Sequence, residues 1–342
     1  MTPVDNHGVA GVMLDDIHTF IREMPLRFYL SGGLFSKQEP MILFHVGEED
    51  VEALVSYKKK AAGYEDELHR DPDAPPTTAY GQAYRAGVTG RRVTAKLASR
   101  YRVPCRCQHL FVVDAPTEEV FMNLFTVEKL RRRTIDEVLT DLREAPGQIL
   151  SGWDRHDFRW QVLDADLQLS GNGKVEGDEP ILVLGLSENV CLPLEVWSED
   201  QGAAIAGILP LPIAALAWCK AVLPTDRRDS VILVAGGKGV VIAVIKRGKL
   251  TTLSRAQAID DAFGNIRRNI DEFGLEDPAM YLWHSKLEES AEGDFNYDRL
   301  TIINEELLRA VLGAPLLVMT STGRRTSYDR PIPHLLNWLA RQ

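Results

Sequence analysis

Two short apolar stretches, each closed by a glycine, decide the fold: Ile42-Leu-Phe-His-Val-Gly47 and Ile232-Leu-Val-Ala-Gly-Gly237. Each has the pattern of a buried strand that ends at a glycine turn and is followed by a second strand. The stretches begin at residues 42 and 232, so they lie 190 residues apart. Self-similarity over this distance predicts two duplicated domains rather than a solenoid of small repeats.

The elements around both stretches alternate between strands and helices. The second stretch lies in a strand over Ser230–Ala235, which is followed by strands over Val240–Lys246 and Lys249–Leu253 and by a helix over Asp260–Phe273. In the first half, apolar residues at helical spacing predict an amphipathic helix over Glu128–Arg143. Strands that alternate with helices predict a layered α/β fold.

Composition narrows the class of protein. The chain has 342 residues, a formal net charge of −10 and 45% hydrophobic residues. These values exclude a disordered, collagen-like or coiled-coil architecture, and the acidic balance argues against a dedicated nucleic-acid-binding protein. Four cysteines are too few for a disulfide scaffold, and residues 1–13 show no secretory signal, so we expect a cytoplasmic protein.

One uncharged stretch, residues 202–219, is near the lower length limit for a membrane-spanning helix. Pro210 and Pro212 lie at its centre, and proline suits the first turn of a helix. The sequence therefore favours a buried strand over Ile205–Leu209 and a helix over Ile213–Val222, rather than a membrane span.

Units of strand, glycine turn, two strands and helix in two halves resemble the actin-like ATPase fold. Within it, the chain looks like the PilM-type proteins of type IV pilus assembly and the cytoplasmic domain of the GspL-type proteins of type II secretion. The best match is Asp229 to Asp271, where the third strand ends in Leu253-Ser-Arg255. The resemblance implies an α/β fold, ribonuclease H-like and duplicated. It implies a lead-in over 1–40, a first actin-like subdomain over 41–228 with an insertion subdomain at about 108–190, and a second actin-like subdomain over 229–342.

Active members of this group carry an aspartate two residues before each turn glycine, where it organises Mg²⁺ and phosphate. Here the turn glycines are Gly47 and Gly237, and the aspartate positions hold His45 and Ala235. Three carboxylates, residues 48–50, follow Gly47 and, without a metal ion, would repel a triphosphate by roughly several kcal/mol. The resemblance therefore implies degenerate phosphate loops, no catalytic residues and no bound cofactor, with Mg-ATP binding as the disfavoured alternative.

The resemblance also implies a role and partners. It implies a non-catalytic scaffold, peripheral to the inner membrane on its cytoplasmic side, which links membrane-anchored proteins to an assembly ATPase. In PilM-type proteins the short cytoplasmic tail of a single-span, PilN-like protein docks beside the insertion subdomain. The basic run Arg131, Arg132 and Arg133 is our candidate for holding such a tail. Two other interpretations stay open: an active ATP-binding member of the actin/kinase superfamily, and an unrelated α/β enzyme.

The other groups of cysteine, histidine and carboxylate residues in the sequence are typical of structural roles. Cys105, Cys107 and His109 alternate and would share one face of a strand, but a closed zinc site needs a fourth ligand and no second cysteine pair lies near. We therefore expect no metal site, with this trio as the weak candidate. The carboxylate–histidine groups around His69 and His156 are typical of exposed loops.

Overall fold

The computed structural model describes residues 40–57, 60–69, 78–101, 103, 107–125, 134–167, 180–223, 229–236, 239–257, 259–285, 300–302, 316–319, 325–328 and 331–341. Its strands are β1 (Met41–Val46), β2 (Asp50–Tyr57), β3 (Lys60–Leu68), β4 (Gln108–Val113), β5 (Val120–Phe125), β6 (Phe158–Leu163), β7 (Ile181–Ser187), β8 (Ala204–Pro210), β9 (Ser230–Gly236), β10 (Gly239–Lys246), β11 (Lys249–Ala256), β12 (Ala279–His284), β13 (Leu300–Ile302), β14 (Leu316–Met319) and β15 (Arg325–Tyr328). Its helices are α1 (Ala79–Tyr101), α2 (Ile135–Glu144), α3 (Glu188–Asp200), α4 (Leu211–Val222), α5 (Ile259–Phe273) and α6 (Pro331–Leu339).

Two five-stranded sheets share one topology. The first has the order β3-β2-β1-β4-β8, and the second has the order β11-β10-β9-β12-β13. In both sheets the first three strands form an antiparallel meander and the first strand pairs in parallel with the fourth. The apolar stretches that begin at Ile42 and Ile232 thus lie in equivalent central strands, β1 and β9, and the predicted duplication is confirmed.

Local sequence explains the strand connections of the second sheet. Arg247 and Gly248 both have positive φ, 51° and 80°, as a two-residue type I′ hairpin turn requires. The other hairpin pairs Gly236 with Gly239 across its turn. A buried apolar core, which includes Val231, Leu233 and Ile242, covers one face and packs against Ala262 and Ile266 of α5.

Helices α1 and α3 cover one face of the first sheet. Trp197 of α3 is 1% exposed and contacts the rings of Phe44 in β1 and Phe111 in β4, with centroids 4.7 and 4.9 Å apart. The glycines of α1 let the two helices approach, because a Cβ at Gly90 would lie 2.1 Å from the indole ring of Trp197. This close packing stabilises a long helix whose glycines disfavour it locally.

The stretch that resembled a membrane span is a buried strand and helix, β8 and α4, as predicted. Helix α4 carries Pro212 in its first turn, and its residues from Ile213 to Cys219 are buried in the core of the first sheet. Within the part of the chain described above, no helix is both long enough and apolar enough to cross a membrane.

A third, three-stranded sheet with the order β5-β7-β6 is inserted between β4 and β8 of the first sheet. Its core includes Trp160 and Val183 and receives Val138 and Leu142 of α2. The inserted sheet begins at Val120, so the start expected at about residue 108 is too early. Strand β4 hydrogen bonds with β1 and β8 and belongs to the first sheet.

Helix α2 is shorter than the predicted helix over Glu128–Arg143. It begins after Thr134, whose hydroxyl accepts a hydrogen bond from the Glu137 amide while the Glu137 carboxylate accepts one from the Thr134 amide. This capping box satisfies two amides that have no partner within the helix and thereby fixes its start. Arg131, Arg132 and Arg133 precede it and lie outside the described residues.

Candidate functional site

The first candidate phosphate loop is the turn between β1 and β2. The Gly47 amide donates to the Asp50 carbonyl oxygen, 3.0 Å away, and His45 pairs with Glu52 across the two strands. Side chains on a strand alternate between faces, and directly opposed residues share a face. Asp50 and Glu52 therefore lie on one face of the hairpin together with His45 and the side-chain position of Gly47.

This face of the hairpin holds a buried polar cluster. His45, Asp50 and Glu52 are 4%, 9% and 2% exposed, and the His45 Nδ1 atom lies 4.0 Å from the Glu52 Oε1 atom. The Tyr64 hydroxyl of β3 donates a hydrogen bond to the Glu52 Oε2 atom. A Cβ at Gly47 would lie 2.5 Å from the Asp50 Oδ1 atom and 3.1 Å from the His45 Cε1 atom, so the space that glycine leaves is filled by these two side chains.

Arg85 of α1 and His69, which follows β3, donate hydrogen bonds to backbone oxygens of the same turn. Arg85 donates from Nη2 to the Glu48 carbonyl oxygen at 2.9 Å. His69 donates its amide to the Glu49 carbonyl oxygen at 2.8 Å, and its ring nitrogens lie 2.9 Å from Thr89 Oγ1 and 3.4 Å from the Gly47 carbonyl oxygen. Burial lowers the pKa of His69. The exposed loop predicted around His69 is therefore wrong at this residue, which is half-buried against the turn.

The second candidate loop lies between β9 and β10. Ala235 is 2% exposed in β9, and Gly237 lies outside the described residues. A Cβ at Gly236 would lie 2.8 Å from the Asp114 Oδ1 atom. Asp114 follows β4, and its amide donates to the Val46 carbonyl oxygen at 3.0 Å, so this residue touches both candidate loops. Asp114 is not among the residues predicted from the sequence, although its position directly after the buried strand Leu110–Val113 could have identified it as a candidate site residue.

A cleft of about 390 Å³ opens beside Asp114. Its lining includes Thr117, Met122 and Gly239, and the guanidinium of Arg255 lies on its wall. Arg255 donates from Nη1 to the Thr117 carbonyl oxygen at 3.2 Å, and burial lowers the pKa of its guanidinium. The cleft thus has one cationic wall, whereas the β1–β2 turn presents carboxylates.

Two members of the cysteine–histidine trio, Cys107 and His109, lie in the described part of the chain. His109 is fully buried in β4, its Nδ1 atom lies 3.0 Å from Ser198 Oγ, and burial lowers its pKa to about 4. Cys107 precedes the strand and is near enough to Tyr57 that its charge helps to raise the pKa of that phenol, after the larger effect of burial. Cys105 lies outside the described residues.

Comparisons with known proteins bear on the fold. No family model and no curated protein sequence matches the chain. Among solved structures, it is similar to the PilM-PilN type IV pilus biogenesis complex, with 10% sequence identity, 80% of this chain and 86% of that chain covered, and a TM-score of 0.50. It is also similar to the cytoplasmic domain of EpsL, an inner-membrane component of the type II secretion system of Vibrio cholerae (9% identity, 77% and 85% covered, TM-score 0.41). A protein of unknown function from Bacteroides thetaiotaomicron with an actin-like ATPase fold is similar as well (8% identity, 90% and 99% covered, TM-score 0.45). The chain thus has the actin-like fold that its sequence predicts.

Proposed function

We propose that this protein is a non-catalytic cytoplasmic scaffold of a type IV pilus or type II secretion inner-membrane platform. The observation that carries the proposal is the β1–β2 turn, where His45, Asp50 and Glu52 form a buried cluster beside Gly47. The resemblance to active actin-like proteins implies that phosphate would be held at this turn. The likeness of the fold to the PilM-PilN complex supports the choice of machine.

Electrostatics at the turn oppose nucleotide binding. Two buried carboxylates, Asp50 and Glu52, lie on the hairpin face, and two exposed ones, Glu48 and Glu49, form the turn itself. When no metal ion neutralises them, two like charges about 5 Å apart repel each other by about 3 kcal/mol at the effective dielectric constant typical near a protein surface. Several such pairs would outweigh the gain from backbone amides at the turn. Mg-ATP binding should therefore be weak or absent.

The proposed partners follow from the type of scaffold. The chain would bind the short cytoplasmic tail of a single-span inner-membrane protein and would contact the ATPase that drives assembly, and it would be peripheral to the membrane through these partners. The formal net charge of −10 makes nucleic acid an improbable partner. The basic run at residues 131–133, just before α2, is the proposed contact for the tail.

The first test is tail binding. Synthetic peptides that cover the cytoplasmic tails of single-span membrane proteins encoded beside this chain are titrated against it by fluorescence anisotropy. We expect micromolar affinity, because a flexible tail loses conformational entropy on binding. Replacement of all three arginines, residues 131–133, by glutamate should weaken binding. If this run serves only to bind the tail, the thermal midpoint should stay nearly unchanged, since charges at a protein surface contribute little to stability.

A charge-matched control keeps this test specific. Arg247, Lys249 and Arg268 are exposed cations around the second sheet, and their replacement by Glu changes the net charge by the same amount. If both triple variants weaken tail binding equally, the loss comes from the change in net charge, and the proposed contact at residues 131–133 is wrong. If no tail binds the unmodified chain, the scaffold proposal itself fails.

The second test separates the scaffold from an active ATP-binding member of the superfamily. Calorimetry with Mg-ATP should detect no binding tighter than a Kd of about 1 mM, which corresponds to about −4 kcal/mol. Micromolar binding, or ATP hydrolysis that a Gly237→Val change abolishes, would establish the alternative.

A further inference from the structure

We propose that the face of the β1–β2 hairpin described above is a metal site, in which His45, Asp50 and Glu52 bind one divalent transition-metal ion such as Zn²⁺. One ligand atom from each of these residues lies within 4.8 Å of the other two. The cross-strand register explains the grouping, because His45 lies opposite Glu52 and Asp50 is two residues away on the same face.

The state of Asp50 points to a missing ligand. This residue is 9% exposed, and its buried Oδ1 atom has no hydrogen-bond partner among the described residues. A buried carboxylate is expected to be hydrogen bonded, paired or bound to a metal, since desolvation of an uncompensated charge is costly. The Oδ1 atom points toward the space that a side chain at Gly47 would occupy, where the His45 ring also lies.

Charge balance supports a cation at this position. With a neutral imidazole, the cluster holds two carboxylates, Asp50 and Glu52, that share a water-poor space. A divalent ion would neutralise both charges and would use the imidazole as a third ligand. A nitrogen ligand beside two carboxylates favours a first-row transition ion over Mg²⁺ or Ca²⁺, which prefer oxygen ligands alone.

The distances allow coordination after a small adjustment. Zinc binds histidine nitrogen and carboxylate oxygen at about 2.0–2.2 Å, so two ligands on one ion lie no more than about 4.4 Å apart. Closure from 4.8 Å requires the ligand atoms to move by about 1 Å. Asp50 can make this movement because no hydrogen bond from a described residue holds its Oδ1 atom. Water would complete the coordination, as in other sites with three protein ligands.

Tyr64 provides the outer support that metal ligands usually have. Its hydroxyl is buried and donates to the Oε2 atom of Glu52, which leaves Oε1 on the side of His45. Such a hydrogen bond orients a ligating carboxylate, and its loss typically lowers metal affinity by about 10–100-fold. Tyr64→Phe therefore gives a test that removes no ligand and changes little volume.

The experiment is metal binding by the full chain after chelator treatment. ZnCl₂ is titrated in competition with a chromophoric chelator, and CoCl₂ is added in a parallel sample to record its visible absorption. We expect one Zn²⁺ per chain with a Kd of about 10 µM or tighter. Asp50→Asn, which keeps the side-chain shape, should weaken binding by at least about 10-fold, and Tyr64→Phe should weaken it by about 10–100-fold.

Controls separate this site from other histidines. His156 is exposed and lies outside the cluster, so His156→Ala should bind Zn²⁺ as the unmodified chain does. His45→Ala should lose the visible absorption of bound Co²⁺, and circular dichroism reports whether each variant is folded. If His45→Ala does not fold, Asp50→Asn and Tyr64→Phe decide. Absence of Zn²⁺, Co²⁺ and Mn²⁺ binding, or binding that the cluster variants leave unchanged, would overturn the proposal and identify the cluster as a histidine–carboxylate ion pair.

Discussion

The packing of α1 on α3 makes a quantitative prediction about two glycines one helical turn apart. A Cβ at Gly90 would lie 2.1 Å from two atoms of the Trp197 ring, whereas a Cβ at Gly87 would lie 3.5 Å from the Trp197 Cβ atom. Carbon atoms in contact prefer about 3.5–4.0 Å. An alanine at Gly87 therefore fits, and an alanine at Gly90 forces the indole to move.

The magnitude follows from two opposing terms. Gly→Ala in a helix interior stabilises the helix by about 1 kcal/mol, and this gain is the same for both variants. At Gly90 the Trp197 ring is 1% exposed and lies against Phe44 and Phe111, so it has little room to move. Overpacking of this kind costs about 1–3 kcal/mol. Gly87→Ala should therefore be neutral or more stable, and Gly90→Ala should be about 1–3 kcal/mol less stable than Gly87→Ala.

Urea unfolding monitored by circular dichroism measures the difference, with equal slopes showing that only stability has changed. Gly264→Ala in α5 calibrates the helix term, because no atom of the described residues lies within 4 Å of its Cβ position, and it should gain about 1 kcal/mol. If Gly90→Ala is as stable as Gly87→Ala, the contact between α1 and Trp197 is not the one described.

Two further predictions concern buried charge. His109→Gln should flatten the acid side of the pH–stability curve. Burial lowers the folded pKa of His109 from 6.5 to about 4, so the unfolded chain takes up the proton first. The contribution of His109 to the free energy of unfolding is then fully present above about pH 6.5 and is lost, by about 3 kcal/mol, as the pH drops to about 4. A wild-type pH–stability curve without this fall would contradict the prediction. Glu195→Gln should lower the free energy of unfolding in urea by about 3–5 kcal/mol, because it removes the carboxylate that pairs directly with the buried Arg159 guanidinium. The Arg159 Nη2 atom lies 2.8 Å from the Glu195 carboxylate, and its side chain is 4% exposed. Adding Arg159→Met to Glu195→Gln should recover most of the lost free energy of unfolding. A Glu195→Gln variant as stable as the wild type would refute the argument.

Local signals made the hairpins of both sheets predictable. Apolar runs that end at Gly47 and Gly236 specify strand and turn within a few residues, and Arg247-Gly248 has the residues for a tight turn. Local signals are weaker where tertiary contacts dominate. The glycines of α1 lower its helix propensity, and the packing of the helix on Trp197 stabilises its full length.

The polar cluster could not be predicted from spacing alone. His45 and Glu52 become neighbours through the register of β1 and β2, and Tyr64 reaches Glu52 only because β3 continues the meander. Strand β3 itself, Lys60–Leu68, is rich in charged and small residues and carries little strand signal. The Thr134–Glu137 capping box was present in the sequence and would have placed the start of α2 correctly.

The two glycine turns show why a retained turn glycine is weak evidence for a phosphate site. At the first turn, the missing Cβ of Gly47 leaves room for Asp50 and His45 of the same hairpin. At the second, the turn glycine Gly237 lies outside the described residues, and the missing Cβ of the preceding Gly236 lets the Asp114 carboxylate approach. In both places the chain itself occupies the space, and it does so with carboxylates, which a nucleotide phosphate would have to displace or neutralise. The lack of a side chain at Gly47 and Gly236 is therefore explained by internal packing, so these two glycines do not by themselves indicate a phosphate site.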